Sequence, residues 1–87
     1  MWHLTARIAG AGSDSWHPEL GEAETALAAV MGGGQHLRPM RTPWPDTHGG
    51  RVFYGAEQIG TYSIVLFPDR ADRAPVIREH YIAVVSP

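Results

Sequence analysis

The chain has 87 residues, of which 44% are hydrophobic and 18% charged, and its net charge at pH 7 is -2. A chain of this length has room for one domain, residues 1–87, built on one hydrophobic core. It contains no cysteine, which excludes disulfides, thiolate nucleophiles and cysteine-based zinc sites. Its longest apolar run, residues 64–67, is far shorter than the ~20 residues that a membrane-spanning helix needs.

These features predict a cytoplasmic protein without membrane association. Small secreted domains usually depend on disulfides, which this chain cannot form. Its first ten residues also lack the basic start and apolar centre of a signal peptide.

The first predicted element is a strand over residues 2–9. Alternate positions of this segment are apolar, which is the period-two pattern of a half-buried strand. These positions are Trp2, Leu4, Ala6 and Ile8. Residues 10–15, rich in glycine and serine, predict a turn.

A helix is predicted next, over residues 18–31. Pro18 suits the first helical position, and Gly32 stands where a left-handed C-cap glycine belongs. Apolar residues at spacings of three and four form one stripe that should pack on a sheet. They are Leu20, Ala23, Leu27 and Val30. The three glycines at residues 32–34 follow the helix, whereas phosphate-binding glycines precede one.

The middle of the chain predicts strands and turns. Residues 35–42 predict a short edge strand, because Pro39 lacks the amide hydrogen that a central strand needs. Residues 42–46 and 48–50 predict tight turns. Residues 51–58 and 60–67 are rich in β-branched and aromatic residues and predict two strands, with Gly55 and Gly60 marking a bend or bulge. Residues 68–75 predict a polar loop.

The last segment, residues 76–85, fits either a helical stripe or a strand, and its β-branched residues favour the strand. The predicted fold is therefore α+β, with one main helix packed on a four- or five-stranded, mostly antiparallel sheet. One helix covers only one face of a sheet. Either the sheet curls toward a barrel, or a second copy covers the open face, which predicts a homodimer.

A candidate binding surface lies in residues 36–54. Residues 32–54 carry three arginines and one aspartate, a net charge of +2 in an otherwise acidic chain. Trp44 stands between two prolines, which would either hold its indole outward or let it fold back onto the open end of the sheet. Arginine, tryptophan and tyrosine are the residues enriched where proteins bind each other. The predicted binding residues are Arg38, Arg41, Trp44, His48, Arg51 and Tyr54.

A catalytic role has less support from the residue pattern than a binding role has. The spacing of the five histidines predicts no metal site, no serine lies in a nucleophile elbow, and no motif implies a cofactor. One base in an apolar pocket would nevertheless suffice for a cofactor-independent isomerase or cyclase. Tyr54, Tyr62 and Tyr81 could each supply a proton or orient a carbonyl group. The candidate catalytic residues are His48, His80, Tyr54 and Tyr81.

We therefore expect a non-catalytic binding module that acts through self-association or a protein partner. A cofactor-independent enzyme that uses histidine and tyrosine as acid and base is the first alternative. A nucleic-acid-binding accessory protein is the second, because arginines interleaved with aromatic residues can pair with phosphates and stack on bases. Three arginines in an acidic chain are few for that role.

Overall fold

The computed structural model describes residues 1–69 and 71–85. The elements follow in the order β1 (Trp2–Ile8), β2 (Ala11–His17), α1 (Leu20–Val30), β3 (Gln35–Pro39), β4 (Thr47–Tyr54), β5 (Glu57–Leu66) and α2 (Ala74–Val85). The strands form one sheet in the order β2-β1-β5-β4-β3, and each neighbouring pair is antiparallel. The predicted α+β fold with a helix on an antiparallel sheet is confirmed, but the sheet stays open and forms no barrel.

The central strand β5 is buried on both of its faces. Four consecutive residues, 62–65, are buried, so side chains that point in opposite directions are all removed from water. Face A of the sheet carries Leu4 and Ile64, which lie opposite each other on β1 and β5. Face B carries Gly49 and Ser63, which lie opposite each other on β4 and β5. Both faces therefore need a covering element.

Helix α1 covers the β1, β2 and β5 part of face A. Ala23 and Leu27 are buried in the core, as the predicted stripe requires, and Leu20 packs against the core while half-buried. Val30 departs from the prediction, because its side chain is 47% exposed. The stripe therefore buries its middle and leaves its last residue in water.

The ends of α1 also differ from the prediction. The helix begins at Leu20 with Glu19 as its N-cap, so Pro18 lies before it and not in its first turn. The helix ends where Met31 adopts an extended conformation, with φ -84° and ψ 143°. Gly32 is therefore not a left-handed C-cap; within the following turn it is Gly34 that has positive φ, at 79°.

Residues 76–85 belong to helix α2, so the predicted strand is wrong. The Asp72 carboxylate accepts a hydrogen bond from the Ala74 amide at 2.9 Å, which satisfies one of the free N–H groups at a helix start. Pro75 follows in the first turn, where a missing amide hydrogen breaks no bond. β-branched residues misled the prediction because Val76 and Ile77 lie on the exposed side of the helix.

Helix α2 packs on face B against β4 and β5. Its buried residue Ile82 sits on Gly49, where an added Cβ atom would lie 2.8 Å from the Cδ1 atom of Ile82. Glycine at this position thus allows the helix to approach the sheet closely. The apolar residues on the second face of β5 are covered by the same chain, so they no longer argue for a homodimer. Self-association itself stays a prediction.

Two segments predicted as turns are strands. Residues 10–15 lie mostly in β2, because the turn before it needs only Ala9 and Gly10, with φ of 52° and 83°. Positive φ at both central residues is the geometry of a two-residue hairpin turn. Residues 48–50 lie in β4, where the glycines allow close packing: a Cβ atom on Gly50 would lie 2.3 Å from the Arg38 carbonyl oxygen.

The remaining predicted strands are formed, but with other bounds, because the segment predicted as one strand at residues 51–58 contains the end of β4, the turn and the start of β5. β1 is formed, β3 lies at the edge of the sheet and ends at Pro39, and β4 and β5 pair across a turn at Gly55, where φ is 62°. The pairing of these two strands shifts register between Val52 and Phe53, which makes Ile59, next to Gly60, the extra residue of a β-bulge.

Substitutions in the two helices test whether both cover the sheet. Leu27 and Ile82 are each 2% exposed. Leu27→Ala and Ile82→Ala should each lower the free energy of unfolding by about 2 to 5 kcal/mol in urea denaturation, because each leaves a cavity.

Val30→Ala and Val84→Ala are the matched controls, since both side chains are exposed on the same two helices. Each control should change the free energy of unfolding by no more than about 0.5 kcal/mol. An effect of Ile82→Ala as small as that of Val84→Ala would contradict the packing of α2 on face B.

Candidate functional site

A cleft of about 580 Å³ opens on face A, where α1 does not reach the β3 and β4 side of the sheet. Strands β4 and β5 form its floor, α1 forms one wall, and residues 37–45 form the other. The residues that line it are Leu20, Glu24, Leu27, Leu37, Pro39, Met40, Thr42, Trp44, Pro45, Thr47, His48, Gly49, Tyr62 and Ile64.

Most of the cleft comes from the segment in which the sequence predicted a binding surface. Nine of the fourteen lining residues belong to residues 36–54. Trp44 and His48, both predicted binding residues, are among them. This segment is therefore a wall and part of the floor of a concave site on face A, and not only a connection between β3 and β4.

Trp44 lies folded against α2. Its ring meets the Tyr81 ring edge-on, with centroids 5.1 Å apart, and the Arg78 guanidinium carbon lies 5.5 Å from its centroid. Arg78 also forms an ion pair with Asp46. The Trp44 side chain is half-buried, so the position expected of an outward anchor is not observed and the indole folds back instead.

Tyr62 on β5 and Glu24 on α1 both line the cleft. Burial raises the pKa of the Tyr62 phenol above its usual value, and the negative charge of Glu24 raises it further. The phenol is therefore protonated at neutral pH and is available as a hydrogen-bond donor.

His48 lines the same cleft from β4. Its side chain is exposed, and its ring centroid lies 5.8 Å from that of Trp2 at an angle of 49°. The cleft thus combines apolar walls with a neutral phenol, one carboxylate, one imidazole and two threonines, Thr42 and Thr47. Few and convergent polar groups in an apolar hollow are typical of small-molecule sites.

The other predicted binding residues lie away from the cleft. Arg38 and Arg51 lie opposite each other on face B, because side chains alternate along a strand. Arg41 is exposed in the segment after β3. Tyr54 is 57% exposed at the end of β4. The structure therefore divides the predicted binding surface between the two faces of the sheet.

The four candidate catalytic residues do not come together. His48 lies in the cleft, whereas Tyr54 is exposed at the end of β4. His80 is exposed on α2, and Tyr81 packs against Trp44. The residues that do share the cleft with His48 are Tyr62 and Glu24.

The residue pattern assigned no site role to Glu24. Tyr62 was one of three tyrosines expected to be able to supply a proton, but it was not among the four candidate catalytic residues. Tyr62 carried a usable signal, because it alternates with Ile64 on the core face of a predicted strand. A tyrosine buried there brings a hydroxyl group that needs a polar neighbour.

Within residues 1–69 and 71–85, no three histidine, aspartate or glutamate side chains are arranged to hold a metal ion. Neither of the two helices there has the length and apolar character needed to cross a membrane.

Comparison with protein-family models, with curated proteins and with solved structures finds no match to this chain.

The position of Trp44 predicts a structural cost for its removal. Trp44→Ala deletes the contacts with Tyr81 and Arg78, and should lower the free energy of unfolding by about 2 kcal/mol, less than for a fully buried tryptophan. Urea denaturation measures this change. Tyr54→Ala, at an exposed aromatic residue, is the control and should cost no more than about 0.5 kcal/mol. Equal effects of the two substitutions would show that Trp44 is not packed in solution.

Proposed function

We propose that this chain is a small non-catalytic binding domain that holds a neutral, mainly apolar small molecule in the cleft on face A. The observation that carries the proposal is the cleft itself, with its apolar walls and a protonated tyrosine on its floor. Its volume of about 580 Å³ lies within the range of about 300 to 1,000 Å³ typical of ligand pockets.

The polar groups of the cleft limit the chemistry of its ligand. Tyr62 offers a proton, so a carbonyl or hydroxyl oxygen on the ligand would accept a hydrogen bond from it. Glu24 carries a negative charge beside this donor, which would repel an anionic ligand in a partly desolvated site. A neutral ligand with one hydrogen-bond acceptor therefore suits the cleft better than a carboxylate or a phosphate.

A catalytic role is the second candidate, because His48 and Tyr62 line the same cleft. Histidine is the common general base near neutral pH, and a tyrosine with a raised pKa can donate a hydrogen bond to a carbonyl oxygen. Together they would suit a proton transfer next to a carbonyl group. Turnover of a bound carbonyl compound, lost in His48→Gln, would distinguish this role from binding alone.

Self-association is a further proposal, carried by the outer surface of α2. Three apolar side chains of this helix, Val76, Ile77 and Val84, are more than half exposed. Ile77 and Val84 are seven residues apart and therefore lie on the same side of the helix. We propose that two copies pack these surfaces against each other around a two-fold axis, since such an interface uses the same residues on both copies.

A fluorescence titration with Nile red, a neutral dye with a carbonyl oxygen, tests the cleft. The dye should bind saturably at one site per chain. Tyr62→Phe should weaken binding by about two- to twelve-fold, because it removes one hydrogen bond. Tyr54→Phe removes the same hydroxyl from an exposed tyrosine and should leave the affinity unchanged.

The anionic dye 8-anilinonaphthalene-1-sulfonate is the matched ligand control, and it should bind more weakly than Nile red because of Glu24. Glu24→Gln should reduce that difference. Equal binding of the two dyes, with no effect of Tyr62→Phe, would contradict the proposed ligand class.

Light scattering at micromolar concentration tests self-association. The wild-type protein should have about twice the mass of the 9.5 kDa chain. Ile77→Glu or Val84→Glu should return the mass to that of one chain, because a charge would be buried in the interface. Val30→Glu, on the exposed end of α1, is the control and should leave the dimer intact. A monomeric wild-type protein would contradict this proposal and leave the cleft proposal untouched.

A further inference from the structure

We propose that the part of face B that α2 leaves open binds a single-stranded nucleic acid through a row of arginines. This surface lies on the opposite face of the sheet from the cleft and does not depend on the function proposed for the cleft. It consists of Arg7, Arg38 and Arg51 with the neighbouring rings of His36 and Phe53, and we call it the arginine row.

The strand register places the three arginines in line across the sheet. Arg7 on β1 lies opposite Thr61 on β5, Thr61 lies opposite Arg51 on β4, and Arg51 lies opposite Arg38 on β3. On the other side of Arg7 the row continues to Gly12 on β2. Since neighbouring strands are about 4.8 Å apart, the arginines span about 14 Å without an acidic residue between them.

These charges lack ion-pair partners within the described part of the chain. There the ion pairs join His3 to Asp14 and Glu79, and Arg78 to Asp46. Arg38 and Arg51 face each other directly, and like charges in that position destabilise a sheet. An anion that binds both arginines would remove this repulsion.

The space between two of the arginines suits an anionic group. A hollow of about 140 Å³ is lined by Arg38, Arg51, Pro39 and Met40. Guanidinium groups bind phosphate oxygens through paired hydrogen bonds, and they keep their charge at any physiological pH. A phosphate group in this hollow would contact arginines from two neighbouring strands.

Flat side chains adjoin the arginines and favour a nucleic acid over an acidic peptide. The Arg38 guanidinium carbon lies 4.5 Å from the centroid of the Phe53 ring. The His36 ring stacks on the same phenylalanine at 5.8 Å and 18°. Phe53 is 8% exposed, whereas His36 and Arg38 are exposed. Histidine rings and guanidinium planes supported in this way can stack on unpaired bases, which an acidic peptide lacks.

Helix α2 sets one limit of the surface. Ile82 and Ala83 near its C-terminal end line a hollow with Arg7 and Thr61. The negative end of the helix dipole disfavours an anion there. We therefore assign the main phosphate contacts to Arg38 and Arg51, with Arg7 as an outer contact.

Fluorescence anisotropy with short labelled single-stranded DNA and RNA tests the proposal. The plot of log affinity against log salt concentration should have a slope of about -2 for three phosphate contacts on a single strand. Affinity should therefore fall about fifteen-fold between about 50 and 200 mM NaCl. Arg38→Gln and Arg51→Gln should each make the slope shallower by about 0.7.

Arg73→Gln is the matched control, because it removes the same charge from an exposed residue just before α2. It should leave the salt slope unchanged and should change the affinity by no more than about two-fold. Thermal melts followed by circular dichroism should show that each variant is folded as the wild type is. Equal losses in Arg73→Gln and Arg51→Gln would overturn the site in favour of non-specific attraction.

A second pair of variants separates stacking from charge. His36→Ala should weaken binding by about five-fold or more without changing the salt slope, because stacking does not release counterions. His80→Ala, at an exposed histidine on α2, should have no effect.

Two results would overturn the proposal. One is the absence of saturable binding of either strand at low salt. The other is equal or tighter binding of a labelled poly-glutamate peptide with the same dependence on Arg38 and Arg51, which would assign the arginine row to an acidic protein segment.

Discussion

The fold depends on one constraint, which is that strand β5 is apolar on both of its faces. Residues 62–65 of this strand are all buried, so the sheet needs a helix on each side. The two helices have 11 and 12 residues and are therefore about 16 to 18 Å long and about 10 Å wide. Five strands at about 4.8 Å spacing form a wider surface than one such helix can cover. Each face therefore keeps an uncovered part.

The two uncovered parts differ in chemistry because the helices are offset. Helix α1 lies over β1, β2 and β5, so face A is open above β4 and β3, where apolar residues and a neutral phenol form the cleft. Helix α2 lies over β4 and β5 and is seated on Gly49. Within residues 1–69 and 71–85, no helix covers the part of face B that carries Arg38 and Arg51. The open part of face B carries arginines, and the Arg38 guanidinium lies over the buried Phe53 ring. One sheet thus presents a concave apolar surface and a cationic surface back to back.

The elements that bury a regular apolar pattern were predictable from the sequence, and the others were not. Strand β1 and helix α1 show periods of two and of three to four, and β4 and β5 are rich in β-branched residues. Strand β2 has no such pattern because it is an exposed edge strand that is held by pairing with β1. Helix α2 was mistaken for a strand because Val76, Ile77 and Val84 do not face the sheet.

The positive charge of residues 32–54 was enough to find the segment that holds the candidate binding residues. It was not enough to show that the sheet divides these residues between its two faces. Arg38 and Arg51 point to one face of the sheet and His48 to the other, which depends on the register of β4.

Two residues connect the opposite surfaces physically. Pro39 and Met40 line both the cleft and the hollow between Arg38 and Arg51, and the Met40 amide donates a hydrogen bond to the Gly49 carbonyl at 2.8 Å. The wall of the cleft continues from these residues to Trp44, whose ring packs against Tyr81 of α2. A displacement of this segment on one face is therefore also a displacement on the other. If a ligand in the cleft changes the spacing of the two arginines, thermodynamic linkage requires that an anion on the arginine row changes the affinity of the cleft by the same factor.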